Sequence, residues 1–152
     1  MKLQLYVPDG RYAPWIDGFA EVLPEAQCVT WEDSQGQSVD YAVVWRPPVE
    51  MLRGRTDLKA IFNLGAGVDG ILKLNAQHPD ALPAGVPIIR LDDAGMAAQM
   101  AEYVTAAALR YFRRLDVYAA QERAGTWKFQ KPHRHADFTI GVMGVGTLGA
   151  HI

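Results

Sequence analysis

Two glycine patterns contain the residues whose spacing in this chain is best suited to binding a charged ligand. The later pattern occupies residues 144–149, where the apolar run 138–143 leads into Gly-Val-Gly-Thr-Leu-Gly. An apolar, β-branched run followed by G-x-G-x-x-G is typical of the start of a dinucleotide-binding strand–turn–helix unit. The glycines permit a tight turn, approach of the backbone to a pyrophosphate, and close packing of the helix. The 144–149 pattern therefore predicts a strand over 138–143 and a cofactor-binding turn at Gly144, Gly146 and Gly149.

The sequence stops soon after this turn. Only three residues follow Gly149, and they include no second strand and no acidic residue that could bind a ribose. We therefore expect residues 137–152 to be the opening of a nucleotide-binding domain that is truncated after its first strand.

The earlier pattern, residues 65–70, has the same spacing and also follows an apolar strand. Asp92 lies about twenty residues beyond it, where a ribose-binding acid would be sought. Asp69 lies inside the pattern, where a carboxylate suits the start of a helix but repels a pyrophosphate. The amides around Ala66 and Gly67 remain well placed to hold a small anion such as one carboxylate. A plain tight turn between a strand and a helix is an equally good interpretation.

The four histidines do not form a recognisable site. His133 and His135 are two residues apart in the polar segment 125–136, but no cysteine or further histidine is close enough in sequence to complete a metal site. His78 and His151 are not accompanied by a nucleophile or carboxylate in a catalytic arrangement. We therefore expect no metal, no catalytic histidine, and a solvated linker over 125–136.

Composition and charge argue against several classes of protein. The 152 residues are 49% hydrophobic and 21% charged, with a net charge of −2, so we expect one ordinary core and no attraction to nucleic acid or an anionic membrane. Arg110, Arg113 and Arg114 have helical spacing and fit a solvated helix face. The single cysteine, Cys28, fits a reducing compartment. With no membrane-spanning run and no secretory signal, a soluble cytoplasmic protein is expected.

Short apolar runs alternate with helical patterns through the first part of the chain. Apolar residues at steps of three and four predict helices from Pro14 and over 69–77. This alternation favours an α/β fold, in which an open and largely parallel sheet is covered on both faces. The predicted strands are 3–7, 27–31, 41–45, 58–64 and 87–91.

Residues 96–123 form the longest helical pattern. They are rich in good helix formers and contain no glycine or proline, so we predict one continuous helix ended by Gly125. At about 1.5 Å per residue it would span roughly 40 Å, which suits a connector between domains. A long surface helix of a single domain is the alternative. Its apolar stripe comprises Met100, Val104, Ala107, Ala108, Tyr111, Leu115 and Tyr118.

Four segments together carry a resemblance to a known family: Trp45–Leu52, Leu58–Asp69, Gln99–Tyr103, and Asp137–Gly141 with the glycines after it. In this order they resemble the D-isomer-specific 2-hydroxyacid dehydrogenases, especially the bacterial glyoxylate/hydroxypyruvate reductase A branch. The resemblance implies a two-domain enzyme that makes glycolate or D-glycerate by hydride transfer from NADPH, or from NADH. It implies a flavodoxin-like substrate-binding domain over 1–95, a connecting and dimerisation helix over 96–124, a linker over 125–136, and the truncated start of an NAD(P)-binding Rossmann domain over 137–152.

The resemblance also implies roles for individual residues. The amides of Ala66 and Gly67 would grip the carboxylate of a 2-oxoacid. Trp45 would form a wall of the substrate pocket, although a plain core tryptophan fits nearly as well. Met100 would approach the nicotinamide, against the alternative of ordinary packing on the helix stripe. The pyrophosphate site would begin with Gly144, Gly146, Thr147, Leu148 and Gly149.

The catalytic groups of that family are not recognised in this chain. Its arginine and its histidine–carboxylate pair are expected beyond Ile152, so the chain by itself is expected to be inactive and to bind no cofactor. The helix over Met96–Arg123 is expected to mediate a homodimer. The alternative is a non-enzymatic flavodoxin-like module that binds a small ligand or a partner protein.

Overall fold

A computed structural model describes residues 1–152 and separates them into two compact units, Met1–Asp92 and Asp93–Ile152. The strands of the first unit are β1 (Lys2–Tyr6), β2 (Gln27–Thr30), β3 (Tyr41–Val44), β4 (Ala60–Asn63) and β5 (Ile88–Arg90). They form one parallel sheet in the order β2-β1-β3-β4-β5, which is the flavodoxin-like order. The predicted α/β class with an open parallel sheet is confirmed.

Three helices connect the strands of the first unit: α1 (Ala13–Val22), α2 (Val49–Leu52) and α3 (Asp69–Gln77). Pro14 lies in the first turn of α1, where its missing N–H would have no partner within the helix. The limits of α3 are those predicted from the sequence. Helices α1 and α3 therefore follow the local apolar pattern, whereas the four-residue helix α2 was not predicted from the sequence.

The core of the first unit lies around β3 and β4. Val44 and Ile61 are fully buried and cluster with Met51 and Leu52 of α2 and with Ile71 of α3. Central strands of a parallel sheet are buried on both faces, which explains why these strands are unbroken apolar runs in the sequence.

A buried polar network supports the loop that joins β2 to β3. The Gln4 side chain donates to Ser34 Oγ at 2.7 Å and accepts from Arg55 Nη1 at 3.1 Å. Arg55 also forms a two-point ion pair with Asp57, at 2.7 and 2.6 Å. Asp57 in turn accepts from the Val39 N–H at 2.8 Å. These partners satisfy polar groups that would be costly to leave buried and unpaired.

The second unit differs from the prediction in its helices. Instead of one helix over 96–123 there are two, α4 (Met96–Phe112) and α5 (Leu115–Arg123). Arg114 between them is left-handed, with φ of 55°, and its N–H bonds to the carbonyl of Tyr111. An arginine can adopt this conformation at a cost of about 1–2 kcal/mol, so the lack of glycine and proline did not guarantee a continuous helix. None of the helices has the length and apolar character needed to cross a membrane.

The end of the second unit also differs from the prediction. Residues 138–143 do not form a strand, and the only regular structure nearby is one 3-10 turn on each side, His135–Asp137 and Gly149–His151. A strand is stable only when a neighbouring strand accepts and donates its backbone hydrogen bonds. No strand of residues 1–152 pairs with this segment, which explains why its apolar pattern does not produce β structure. Gly125, by contrast, ends α5 in a left-handed conformation, as predicted.

Candidate functional site

The carboxyl ends of the central strands form a cavity in the first unit. Val7 and Pro8 follow β1, Trp45 follows β3 and Leu64 follows β4, and they line a cavity of about 340 Å³ together with Asp9 and Trp15. The strand order changes direction between β1 and β3. In open parallel sheets, ligands bind outside the carboxyl ends of the strands at such a point. This edge of the sheet is therefore the candidate site.

Trp45 and Gly65 make a close contact beside this cavity. The indole of Trp45 is half-buried, and a Cβ placed on Gly65 would lie 2.6 Å from its Cζ3 atom. Any side chain at position 65 would therefore displace the indole. The first glycine of the 65–70 pattern thus has a packing role that requires no pyrophosphate.

Asn63, the last residue of β4, fixes the backbone that follows it. The residue is 4% exposed, and Nδ2 donates to the carbonyls of Gly65 and Gly67 at 2.9 and 3.0 Å. The Leu64 N–H continues the sheet by donating to Val44 at 2.8 Å. Both hydrogens of the Asn63 amide are used, so the loop is held at two points.

The amides of Ala66 and Gly67 are free to donate. No hydrogen bond within the chain uses either N–H, and both lie just before the N-terminus of α3. Helix N-termini favour negative charge. The Asp69 Oδ2 atom lies 3.6 Å from the position that a Cβ would take at Gly67. That fixed negative charge disfavours a multiply charged pyrophosphate and leaves a singly charged carboxylate as the better ligand.

Two arginines lie beside this loop. Arg90 donates from Nη1 to the Ala66 carbonyl at 3.3 Å and pairs with Asp92 at 2.5 Å. Arg46 is left-handed, with φ of 48°, and its guanidinium lies 5.4 Å from the centre of the Trp45 ring. Asp92, which the spacing marked as a position for a ribose-binding acid, is thus engaged by Arg90. Sequence reasoning did not identify Asn63, Arg90 or Arg46, because a single polar residue at a strand end carries no motif.

The 144–149 pattern has a different geometry. Gly144 is left-handed, with φ of 92°, and a Cβ on Gly149 would overlap the Gly144 carbonyl oxygen. Thr147 is exposed and Leu148 is half-buried, and the Thr147 carbonyl lies 2.8 Å from His151 Nδ1. Only a three-residue 3-10 turn follows, and no strand precedes it. In this conformation the residues do not fit a pyrophosphate, because neither element that would direct their amides is formed.

Met100 and the two histidines of the 125–136 segment, all in the second unit, do not come together in a binding site within that unit. Met100 lies in the second turn of α4 and is 36% exposed. The rings of His133 and His135 pack at a tilt against Phe138 and Phe112, with ring centroids 5.6 and 4.8 Å apart. No group of three or more His, Cys, Asp or Glu residues is arranged to hold a metal ion.

Comparison with curated proteins identifies relatives over the full length of the chain. It is 47% identical over 152 residues to glyoxylate/hydroxypyruvate reductase A of Yersinia enterocolitica and 45% identical to that of Serratia proteamaculans. Each alignment covers 100% of this chain and 49% of the relative. The chain therefore spans about half the length of the curated relatives it matches. No protein-family model matches the chain.

Comparison with solved structures identifies proteins with similar names. A D-isomer specific 2-hydroxyacid dehydrogenase from Xanthobacter autotrophicus, in complex with NADPH and MES, has a TM-score of 0.79 and 30% identity, covering 99% of this chain and 48% of its own. An NADPH-dependent glyoxylate/hydroxypyruvate reductase from Sinorhizobium meliloti, in complex with NADP and sulfate, has a TM-score of 0.73 and 27% identity, covering 97% and 46%. The resemblance seen in the sequence is confirmed.

Proposed function

We propose that this chain, which is related over its whole length to the D-isomer-specific 2-hydroxyacid dehydrogenases, is the substrate-binding part of an NADPH-dependent 2-oxoacid reductase. The substrates proposed are glyoxylate and hydroxypyruvate, and the products glycolate and D-glycerate. Relatives bearing these names align with the entire chain. No observation favours the alternative of a non-enzymatic ligand-binding or interaction module.

The observation that carries this proposal is the pair of unpaired amides at Ala66 and Gly67. They lie at the carboxyl edge of the sheet, directly before the N-terminus of α3. Two backbone N–H groups at a helix start suit the carboxylate that every 2-oxoacid carries. Trp45 is proposed to form an apolar wall beside that carboxylate, since it lines the adjacent cavity.

The reduction of a 2-oxoacid needs a hydride at the carbonyl carbon and a proton at its oxygen. The residues of this chain are proposed to bind and orient the substrate, and none of them is assigned the proton transfer. We propose that the arginine and the histidine–carboxylate pair belong to the part of the protein beyond these 152 residues. The 152-residue chain should then bind substrate without turning it over.

Cofactor contacts are proposed for Met100 and for residues of the 144–149 pattern, in the full-length protein. NADPH, when bound, supplies the hydride. Because the strand and helix around the pattern are not formed here, these contacts are expected only when the rest of a nucleotide-binding domain is present. The proposed residues in the pattern are Gly144, Gly146, Thr147, Leu148 and Gly149.

A homodimer through Met96–Arg123 is proposed for the assembled protein. Tyr103, Leu109 and Tyr111 of α4 are all exposed, although large apolar side chains usually lie inside a fold or an interface. The break at Arg114 divides the proposed interface between α4 and α5.

The carboxylate site can be tested on the ¹⁵N-labelled chain by NMR. Glycolate should shift the amide resonances of Ala66 and Gly67 saturably, with a dissociation constant on the order of millimolar. Neutral glycolamide, which has a similar shape and no carboxylate, is the matched control and should leave both resonances in place. Absence of a shift with glycolate, or an equal shift with glycolamide, would overturn the proposed site.

A further inference from the structure

Asn63 and Arg90 end neighbouring strands. They are register partners in the pairing of β4 with β5, so both side chains start at the carboxyl edge of the sheet. Together they donate to three consecutive carbonyls of the loop, those of Gly65, Ala66 and Gly67. Every carbonyl of this three-residue stretch is therefore bound by a side chain, although about two-thirds of the hydrogen bonds in a protein join backbone to backbone.

The planarity of the peptide bond links these carbonyls to the free amides. In a trans peptide the C=O of one residue and the N–H of the next point in opposite directions. When Asn63 holds the Gly65 carbonyl, the Ala66 N–H is turned away from Asn63. When Arg90 holds the Ala66 carbonyl, the Gly67 N–H is turned away from Arg90. The Leu91 N–H also donates to the Gly65 carbonyl, at 3.3 Å, so Asn63 shares the first peptide with a backbone donor, whereas Arg90 holds the second. The two side chains therefore help to set the direction in which each free amide donates.

We infer that Asn63 and Arg90 are positioning residues, which orient the Ala66 and Gly67 amides toward the carboxylate of the substrate. The inference rests on the proposed function, because it assumes that these amides bind that carboxylate. Asn63 is buried and uses both amide hydrogens on the loop, so its role is to shape the backbone. Arg90 already pairs with Asp92, so its positive charge is largely offset. Its role is therefore assigned to the hydrogen bond that it donates to the Ala66 carbonyl.

The assignment makes a selective prediction for two substitutions. Asn63→Leu keeps the branch at Cγ and the number of non-hydrogen atoms but removes both donors, so it should reduce the limiting glycolate shift of the Ala66 amide more than that of Gly67. Arg90→Ala releases the Ala66 carbonyl, so it should reduce the limiting shift of the Gly67 amide more than that of Ala66. Each variant should weaken glycolate binding about fivefold, as expected when one backbone amide loses its hydrogen bond to the carboxylate of the ligand.

Matched controls exist for both substitutions. Arg53 forms an ion pair with Asp80 at 2.9 Å, as Arg90 does with Asp92, but Arg53 makes no hydrogen bond to the loop. Asn75 is half-buried in α3, and its side chain makes no hydrogen bond within the chain. Arg53→Ala and Asn75→Leu should therefore leave the glycolate titration unchanged.

The outcomes separate this inference from the proposed function. If the wild-type amides do not respond to glycolate, the proposed carboxylate site fails. If they respond and both variants bind as the wild type does, the site stands and the inference is wrong. The inference is also wrong if each variant reduces the glycolate shift equally at Ala66 and Gly67. A general loosening of the loop would affect both amides alike, whereas the inference predicts a larger loss at Ala66 in one variant and at Gly67 in the other. Arg90 is exposed, so Arg90→Ala decides the question even if Asn63→Leu does not fold.

Discussion

The 65–70 and 144–149 patterns have the same glycine spacing but different structures. The first follows a buried strand and leads into a nine-residue helix, and two side chains bind its carbonyls. The second follows an irregular segment and ends in a three-residue turn. Glycine spacing thus permits a tight turn, but the flanking strand and helix decide whether the amides of that turn converge on a ligand. The better formed of the two is the one that the sequence argued against as a pyrophosphate site.

The largest expected difference between the two patterns is in the cost of adding a methyl group. Gly65→Ala should lower the free energy of unfolding by about 2–3 kcal/mol, because the new Cβ would displace the indole of Trp45. Gly146→Ala should change it by less than about 0.5 kcal/mol, since no atom lies within 4 Å of a Cβ there. Urea denaturation of both variants measures the difference.

A second substitution tests the physical reason for that cost. In a Trp45→Ala background, Gly65→Ala should cost less than about 0.5 kcal/mol, because the clashing ring is gone. A full-sized cost in that background would show that position 65 needs glycine for its backbone, which would weaken the contrast with Gly146.

The next expected effect compares one ion pair from each unit. The Arg55 guanidinium hydrogen-bonds Asp57 and holds the pKa of that carboxyl well below its usual range. A lowered folded-state pKa adds stability that is fully present above the unfolded pKa of about 4, decreases below it, and is lost as the pH falls through the folded-state pKa. Asp57→Asn should therefore cost about 1–2 kcal/mol at pH 7, and its difference from the wild type should shrink at pH 3.

The matched pair in the second unit is Arg134 with Asp137, at 2.6 Å but with both side chains more than half exposed. Asp137→Asn should leave the urea midpoint close to that of the wild type, because exposed ion pairs are screened by water. Urea midpoints at pH 3, 5 and 7 test both variants. Equal effects at the two sites would contradict the view that burial makes the Arg55–Asp57 pair the stronger of the two.

The last prediction is that NADPH does not bind to the 152-residue chain. NADPH titrated into the 152-residue chain at micromolar concentrations should give no saturable fluorescence change, because the 144–149 pattern lacks the strand and helix that would direct its amides. The glycolate response at Ala66 and Gly67 is the positive control in the same preparation. Tight, saturable NADPH binding would contradict the contrast between the two patterns.

Much of the first unit could be predicted because its local signals agree with its tertiary packing. Each predicted strand overlaps an observed one. The signal is clearest for β3 and β4, because central parallel strands bury both faces and become unbroken apolar runs. The helix over 69–77 has an amphipathic pattern between clear end signals. The free amides at Ala66 and Gly67 follow from a glycine pattern after a strand, which is also local information.

The features that could not be predicted depend on distant partners or on unusual backbone conformations. The break at Arg114 depends on a left-handed arginine, and an arginine in the sequence does not indicate that conformation. The run 138–143 has the composition of a strand but no neighbouring strand to pair with. Asn63 and Arg90 become informative only when the register of β4 and β5 places them side by side. The sequence alone gives no such register.

The contact between Trp45 and Gly65 constrains how this protein could change over generations. Because a Cβ at position 65 would lie 2.6 Å from the ring, a larger residue there becomes tolerable only after the indole has been replaced by something smaller. The two substitutions therefore have a required order, and the reverse order passes through a strained intermediate. Replacement of Trp45 by a smaller residue would therefore also allow residues other than glycine at position 65, twenty residues away.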